Sequence, residues 1–232
     1  MTHISIGQIV LALVLFLILF GLSQRVLDRM RLTNVQAAVV LLLIIGGSFV
    51  DIPLWRGDIQ VTVNVGGALI PLCLAVYLLV KAGTVRERVR AVTAALLTAG
   101  IIYLTGSVLM TGDLYDRFAL LDPLYIYPLA AGFVAYILGR SRRASFVAAV
   151  LGVLLTDIIH WIWLMATRTP GNVYFGGGGG LDAIVLSAVF AVVLAELIGE
   201  FRERLQGGPK SGGRDPELLR ELRKEGDHIE EK

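Results

Sequence analysis

The sequence predicts an all-α polytopic membrane protein with about seven transmembrane helices. Of its 232 residues, 56% are hydrophobic and 17% are charged, and the mean hydropathy is +0.73. In soluble domains about a quarter of the residues are charged. The charge is also uneven, because positions 200–232 hold 17 of the 40 charged residues. This composition excludes a soluble enzyme, a disordered chain and a nucleic-acid-binding domain, and it leaves a membrane domain with a polar tail.

Seven apolar stretches are candidates for membrane spans. A helix needs about 20 mainly apolar residues to cross roughly 30 Å of hydrocarbon. The first stretch is not expected to be a cleaved signal, because no Lys or Arg precedes it and no small-x-small site follows it. The fifth is short and contains Pro128. The predicted spans are 4–22, 35–52, 61–80, 89–110, 124–138, 144–165 and 179–198.

Basic residues in the loops predict the orientation. The loops after spans one, three and five contain ten Lys and Arg residues, whereas the alternate loops contain three. Short basic loops stay on the cytoplasmic side, so we expect an outside N-terminus and a cytoplasmic C-terminus in a multi-pass protein of the cell membrane. An aromatic belt at the outer interface agrees with this orientation. The belt comprises Trp55, Tyr115, Tyr125, Tyr127, Trp161, Trp163 and Tyr174.

The composition also divides the chain into three parts. Residues 1–200 form the predicted transmembrane domain, and residues 201–214 form a linker that contains Gly, Pro and Ser. Residues 215–232 form a charged cytoplasmic tail, in which Asp215 can cap a helix with Pro216 at its first position. We expect this tail to be partly helical.

Function is best sought where ionisable side chains lie inside spans. A charge near the bilayer centre costs at least ~2.5–3.5 kcal/mol on insertion scales. Asp157 lies well inside span six, and His160, three residues later, shares its helix face. Asp182 lies in the first turns of span seven, where helix amides stabilise a carboxylate. These two aspartates are the candidate functional pair, with capping as the alternative role of Asp182.

The segment 59–71 breaks the pattern of an ordinary span. Its alternation of Ile and Val with Gln, Thr and Asn has a strand-like period of two. Asn64, Gly66, Gly67 and Pro71 interrupt it, and irregular backbone at membrane depth requires protein or water partners. A broken or re-entrant segment is one interpretation, and a proline-kinked helix is the other.

A glycine-rich loop leads into Asp182. Five consecutive glycines lose much backbone entropy on folding unless the backbone needs a positive φ, close approach or mobility. Close packing, a hinge and a simple flexible loop all remain open. The five residues are Gly176, Gly177, Gly178, Gly179 and Gly180.

The predicted topology brings polar residues from five spans to one depth in the outer half of the bilayer. We treat them as a candidate binding or relay set, to which Gly66 and Gly67 add backbone groups. One His and no cysteine cluster predict no metal site, and no cofactor is expected. The only cysteine, Cys73, is expected to be a packed thiol. The candidate set comprises Asp51, Asn64, Thr105, Asp157, His160 and Asp182.

Four blocks of sequence occur in an order that resembles a known family. They are SFVDIPLW, VNVGGALIPL, GVLLTDIIHW and GGGGGLDAIVLSAVFAVVLAE. In this order they resemble a prokaryotic integral-membrane family known as domain of unknown function 1614, over nearly all of residues 1–200. The resemblance implies a multi-span prokaryotic membrane protein. The family has no established activity, so it implies no chemistry.

Translocation of protons, ions or a small solute is the first functional hypothesis. Intramembrane carboxylates and His act as relays in such proteins, and broken helices face the ligand. The expected partners are the lipid bilayer and either a small solute, an ion or a membrane-protein substrate. An oligomer is left open.

An intramembrane aspartyl protease is the second hypothesis, so whether the protein is an enzyme stays open. Two carboxylates that share a proton could be supplied by Asp157 and Asp182. The block before Asp182 is similar to the GxGD motif of presenilin-type proteases, although Leu181 stands where that motif has glycine. The third hypothesis is a structural or scaffolding protein whose buried polar groups hold helices together.

Overall fold

A computed structural model describes Leu32 and residues 34–109 and 123–205. The predicted first span, the loop after span four, the charged tail and most of the linker lie outside these residues. The described helices are α1 (Asn34–Gly47), α2 (Ile70–Val80), α3 (Val85–Leu109), α4 (Pro123–Gly139), α5 (Arg142–Thr167) and α6 (Ala183–Leu205). The described strands are β1 (Asp51–Trp55), β2 (Ile59–Asn64) and β3 (Gly171–Phe175).

The predominantly helical class is confirmed. Two described helices are long and apolar enough to cross a membrane, namely Val85–Gly106 within α3 and Arg142–Thr167, which is α5. The other apolar helices are shorter: the 14 residues of α1 extend about 21 Å at 1.5 Å per residue, less than ~30 Å of hydrocarbon. The chain is thus a membrane protein by these two helices. The seven-span count and the orientation stay predictions.

A three-stranded sheet corrects the prediction of an all-α protein. Strand β2 lies in the centre, antiparallel to β1 and parallel to β3. Asp51 pairs with Asn64 in the first register, and Ile59 pairs with Gly171 in the second. The β-branched residues of β2 alternate along the chain, and such residues favour a pleated surface. The predicted spans 35–52 and 61–80 therefore each lose a part to the sheet.

The prediction of a broken segment at 59–71 is confirmed, and the alternative of a proline-kinked helix is wrong over 59–64. The chain leaves β2, makes a π-helical turn at Val65–Leu69 and continues as α2. Pro71 lies in the first turn of α2, where its missing N–H is tolerated. Asn64 caps the π turn, because its side chain accepts a hydrogen bond from the Gly67 amide.

Helix α5 is the centre of the described helices and packs against α3 and α4. Its residues 144–150 are all buried. Small residues allow close approach: a Cβ on Gly152 would lie 2.8 Å from Cγ2 of Thr98, and a Cβ on Gly132 would lie 2.6 Å from the Ser187 carbonyl oxygen. Interfaces between membrane helices are enriched in such residues. The last turns of α6, residues 197–205, expose Leu197, Phe201 and Leu205.

Candidate functional site

The polar residues singled out in the sequence fall into two separate groups. We call the first the glycine junction; it joins the end of α1, the β1–β2 pair, the π turn and the loop before α6. We call the second the aspartate cluster; it joins α4, α5 and the start of α6. The junction comprises Ser48, Asp51, Asn64, Gly66, Gly67, Gly176, Gly179 and Gly180, and the cluster comprises Tyr127, Thr156, Asp157 and Asp182.

Asn64 is the hydrogen-bonding centre of the glycine junction. Its side chain is buried, with 2% exposure. Its Nδ2 donates to the Ser48 carbonyl oxygen and to Oδ1 of Asp51, both at 2.9 Å, and its Oδ1 accepts from the Gly67 amide at 2.8 Å. Both N–H groups of the amide are therefore engaged within the fold. Asn64 and Asp51 meet as the strand register requires, and Asn64 holds three chain segments together.

Gly66 and Gly67 allow two backbone segments to touch. A Cβ on Gly66 would collide with the Ile44 carbonyl oxygen, and a Cβ on Gly67 would collide with the Gly176 carbonyl oxygen. Contacts of this kind are possible only for glycine. The end of α1 and the glycine-rich loop thus approach the π turn more closely than any side chain would permit.

The glycine-rich loop is ordered by positive φ angles and hydrogen bonds. Gly176 and Gly179 have φ of 70° and 60°, a region that favours glycine. The Gly180 amide donates to Oγ of Ser48 at 2.8 Å, and that hydroxyl donates to the Ile44 carbonyl oxygen at 2.6 Å. Close packing is therefore the correct interpretation of 176–180, and the simple flexible loop is wrong.

Asp182 is the N-cap of α6, as the capping alternative predicted. Its Oδ1 accepts from the Ile184 amide at 2.9 Å, and its Oδ2 accepts from the Gly178 amide at 3.0 Å. The Asp182 carbonyl oxygen accepts the first intrahelical bond, from the Leu186 amide at 2.9 Å. Each carboxylate oxygen thus has a backbone donor, and the positive end of the helix dipole lies beside it.

Asp157 lies in α5, 15 residues after its first residue, or about 22 Å along the helix. It interacts electrostatically with Asp182. Among the described residues, no hydrogen bond reaches its carboxyl group, and none joins the two aspartates. Its neighbour Thr156 is buried and donates within its own helix, to the Gly152 carbonyl oxygen at 2.9 Å.

Tyr127 belongs to the aspartate cluster, although the sequence suggested only a place in the aromatic belt. Its hydroxyl interacts with Thr156 and with the charges of Asp157 and Asp182. The signal that could have identified it is Pro128, which follows it inside α4. An interior proline removes a helix hydrogen bond, and such breaks in membrane helices commonly mark functional positions.

Two predicted members of the set lie elsewhere. His160 is exposed and stacks on Trp163, with ring centroids 6.0 Å apart and planes inclined by 17°. Thr105 is exposed on α3, and its hydroxyl donates to the Ile101 carbonyl oxygen at 2.7 Å. The structure therefore does not bring either residue into the junction or the cluster through a hydrogen bond of the described residues.

Cys73 is exposed on α2, so the prediction of a packed thiol is wrong. Helix α2 is apolar on every side, and its sequence alone does not indicate which face is buried. Within residues 34–109 and 123–205, no group of three His, Cys, Asp or Glu side chains is placed to hold a metal ion.

Comparison with known proteins gives one match. No curated protein and no solved structure matches the chain. A family model described as "Protein of unknown function (DUF1614)" matches residues 24–194, which contain every residue of the glycine junction and of the aspartate cluster. The chain therefore belongs to the DUF1614 family of proteins of unknown function.

Proposed function

We propose that the protein translocates protons across the cell membrane of a prokaryote, and that the Asp157 carboxyl group binds and releases the transported proton. The observation that carries this proposal is the environment of Asp157. It is an ionisable side chain within a 26-residue apolar helix, beside a second carboxylate, without a hydrogen bond from the described residues.

The cost of Asp157 argues for a functional role. An aspartate inside a membrane helix costs several kcal/mol unless it is paired. A merely structural polar residue would make hydrogen bonds to neighbouring helices, as Asn64 does in the junction. Asp157 makes none among the described residues. A carboxyl group that exchanges a proton has to leave its oxygens accessible, which agrees with this arrangement.

The neighbours of Asp157 fit a proton-binding site. Asp182 supplies a fixed negative charge, because two backbone amides stabilise its ionised form. That charge attracts a proton to the nearby Asp157. The Tyr127 hydroxyl can both donate and accept a hydrogen bond, so it suits a relay between water and the carboxyl group. In this proposal Asp157 is the carrier, and Asp182 and Tyr127 position the proton.

The intramembrane protease is supported less well by the same geometry. Its chemistry needs two carboxyl groups that share one proton, one as acid and one as base. The oxygens of Asp182 are engaged by the Gly178 and Ile184 amides. A carboxylate held in this way favours its ionised form, whereas a shared proton needs a direct hydrogen bond between the two groups.

Proton flux into liposomes tests the proposal. Purified full-length protein is reconstituted, a potassium gradient with valinomycin sets the membrane potential, and an internal pH-sensitive dye reports proton entry. We expect flux with the native chain and at least a ten-fold loss with Asp157→Asn. The control is Asp58→Asn, because Asp58 is exposed between β1 and β2.

Two outcomes would overturn the proposal. One is unchanged flux with Asp157→Asn, and the other is equal loss of flux with Asp58→Asn. If the native chain gives no flux but cleaves membrane-protein substrates, and both Asp157→Asn and Asp182→Asn abolish that cleavage, the protease is correct instead.

A further inference from the structure

Basic side chains converge where four helix ends meet, at a distance along the chain from the aspartate cluster. The C-terminus of α2, the first turns of α3 and the corner between α4 and α5 carry seven basic residues and one acidic residue, Glu87. We call this group the arginine surface. It comprises Lys81, Arg86, Arg88, Arg90, Arg140, Arg142 and Arg143.

Two of these arginines fasten the helix ends together. The Arg88 guanidinium donates to the carbonyl oxygens of Val80 and Ala82 at 3.1 and 3.2 Å. Nε of Arg90 donates to the Gly139 carbonyl oxygen at 2.8 Å. Cations at helix C-termini satisfy otherwise free carbonyl groups. These bonds bring the ends of α2 and α4 to the start of α3, so the surface is one continuous structure.

A third arginine is neutralised. Arg142 forms an ion pair with Glu196 of α6, a residue that the sequence alone marks only as able to reach the interface. The remaining four basic side chains make no ion pair within the described part of the chain. Lys81, Arg86 and Arg140 are exposed, and Arg143 is half-buried. The structure therefore offers several uncompensated cations at one place.

We propose that the arginine surface binds the phosphate groups of anionic phospholipids. Guanidinium groups bind phosphate oxygens in a bidentate manner. Basic clusters at the ends of membrane helices are attracted to anionic lipid. The N-terminus of the 26-residue helix α5 lies between Arg140 and Arg143 and adds the positive end of its dipole. This proposal does not rest on proton translocation.

Arg140 has a well-matched control in Arg168. Each follows a membrane-type helix and adopts a left-handed conformation, with φ of 57° for Arg140 and 51° for Arg168. Both side chains are exposed. They differ in surroundings, because Arg168 precedes β3 and lies at the other end of α5. Replacement of either by Gln removes one charge from the same kind of backbone position.

Native mass spectrometry of the full chain in detergent measures lipid binding directly. Phosphatidylglycerol or phosphatidylcholine is titrated, and the bound fraction gives the apparent affinity. Each basic residue near an anionic surface contributes about a five-fold factor in affinity. We therefore expect preferential binding of phosphatidylglycerol, about a five-fold loss with Arg140→Gln, a larger loss with Arg140→Gln and Arg143→Gln together, and no change with Arg168→Gln.

Arg86→Gln provides a second variant, in the exposed first turns of α3, if the α4–α5 corner tolerates substitution poorly. Equal affinity for the two lipids would overturn the proposal, and so would equal losses with Arg140→Gln and Arg168→Gln. Inorganic phosphate is added at the lipid concentration as a further arm. Displacement of phosphatidylglycerol by it would show that the surface binds free phosphate instead of lipid.

Discussion

The glycine junction and the aspartate cluster are both polar and both lie among apolar elements, but they differ in how their hydrogen bonds are used. In the junction, the Asn64 amide and the Ser48 hydroxyl bond to backbone groups of other segments or turns. In the cluster, Asp182 is equally well bonded, whereas Asp157 has no hydrogen bond from the described residues. The contrast separates groups that hold the fold from the one group that is left for chemistry.

The largest effect on stability is expected at the closest backbone contact of the junction. Gly67→Ala would place a Cβ against the Gly176 carbonyl oxygen, where backbone cannot yield easily. We expect a loss of about 3 kcal/mol or more in the free energy of unfolding, measured by SDS titration in mild detergent. Gly100→Ala is the control, because no atom lies within 4 Å of a Cβ there and Ala favours a helix. Equal stability of the two variants would contradict the close contact.

The second effect tests the hydrogen-bonding centre of the junction. Asn64→Leu leaves the Gly67 amide and the Ser48 carbonyl oxygen without their partner in a buried place. Each unsatisfied buried group costs about 1–3 kcal/mol, so we expect a loss of about 2–4 kcal/mol. Gln60→Leu, an exposed amide in the same strand, should change stability by less than about 0.5 kcal/mol. A neutral Asn64→Leu would remove the distinction between junction and cluster.

Asp182 provides a smaller effect, because it belongs to the cluster in space but to the junction in its bonding. Loss of an N-cap costs about 0.5–2 kcal/mol, so Asp182→Ala should destabilise the protein by that amount. Asp182→Asn keeps a capping oxygen and should cost less. Thermal unfolding of the two variants in the same detergent provides the measurement. A stability unchanged by Asp182→Ala would show that the cap contributes nothing.

The sequence predicted the long helices well because their signal is local. Span six was expected at 144–165 and is observed as Arg142–Thr167, and span four was expected at 89–110 and is observed as Val85–Leu109. Hydropathy over about 20 residues suffices for such elements. Spans two and three were overextended, because apolar β-branched strands have the same hydropathy as helices. The pairing of β2 with β3 joins residues more than 100 positions apart and leaves no local signal.

The site was predicted in part for similar reasons. Asp157 and Asp182 were identified because a carboxylate in an apolar stretch is conspicuous in any sequence. Tyr127 was not, because an aromatic residue near a span end is ordinary in a membrane protein. Thr105 and His160 were grouped with the aspartates by depth alone. Depth does not specify which helix face a side chain occupies, and the structure places both on exposed surfaces.

The central claim is that Asp157 is retained for proton transfer and not for stability. The most direct test combines two measurements on Asp157→Asn and Asp157→Glu: proton flux in liposomes and thermal unfolding in detergent. We expect Asp157→Asn to lose flux at least ten-fold with an unchanged or raised unfolding midpoint, since it removes an uncompensated charge, and Asp157→Glu to recover part of the flux. Full flux in Asp157→Asn, or a loss of flux accompanied by an equal loss of stability in both variants, would contradict the claim.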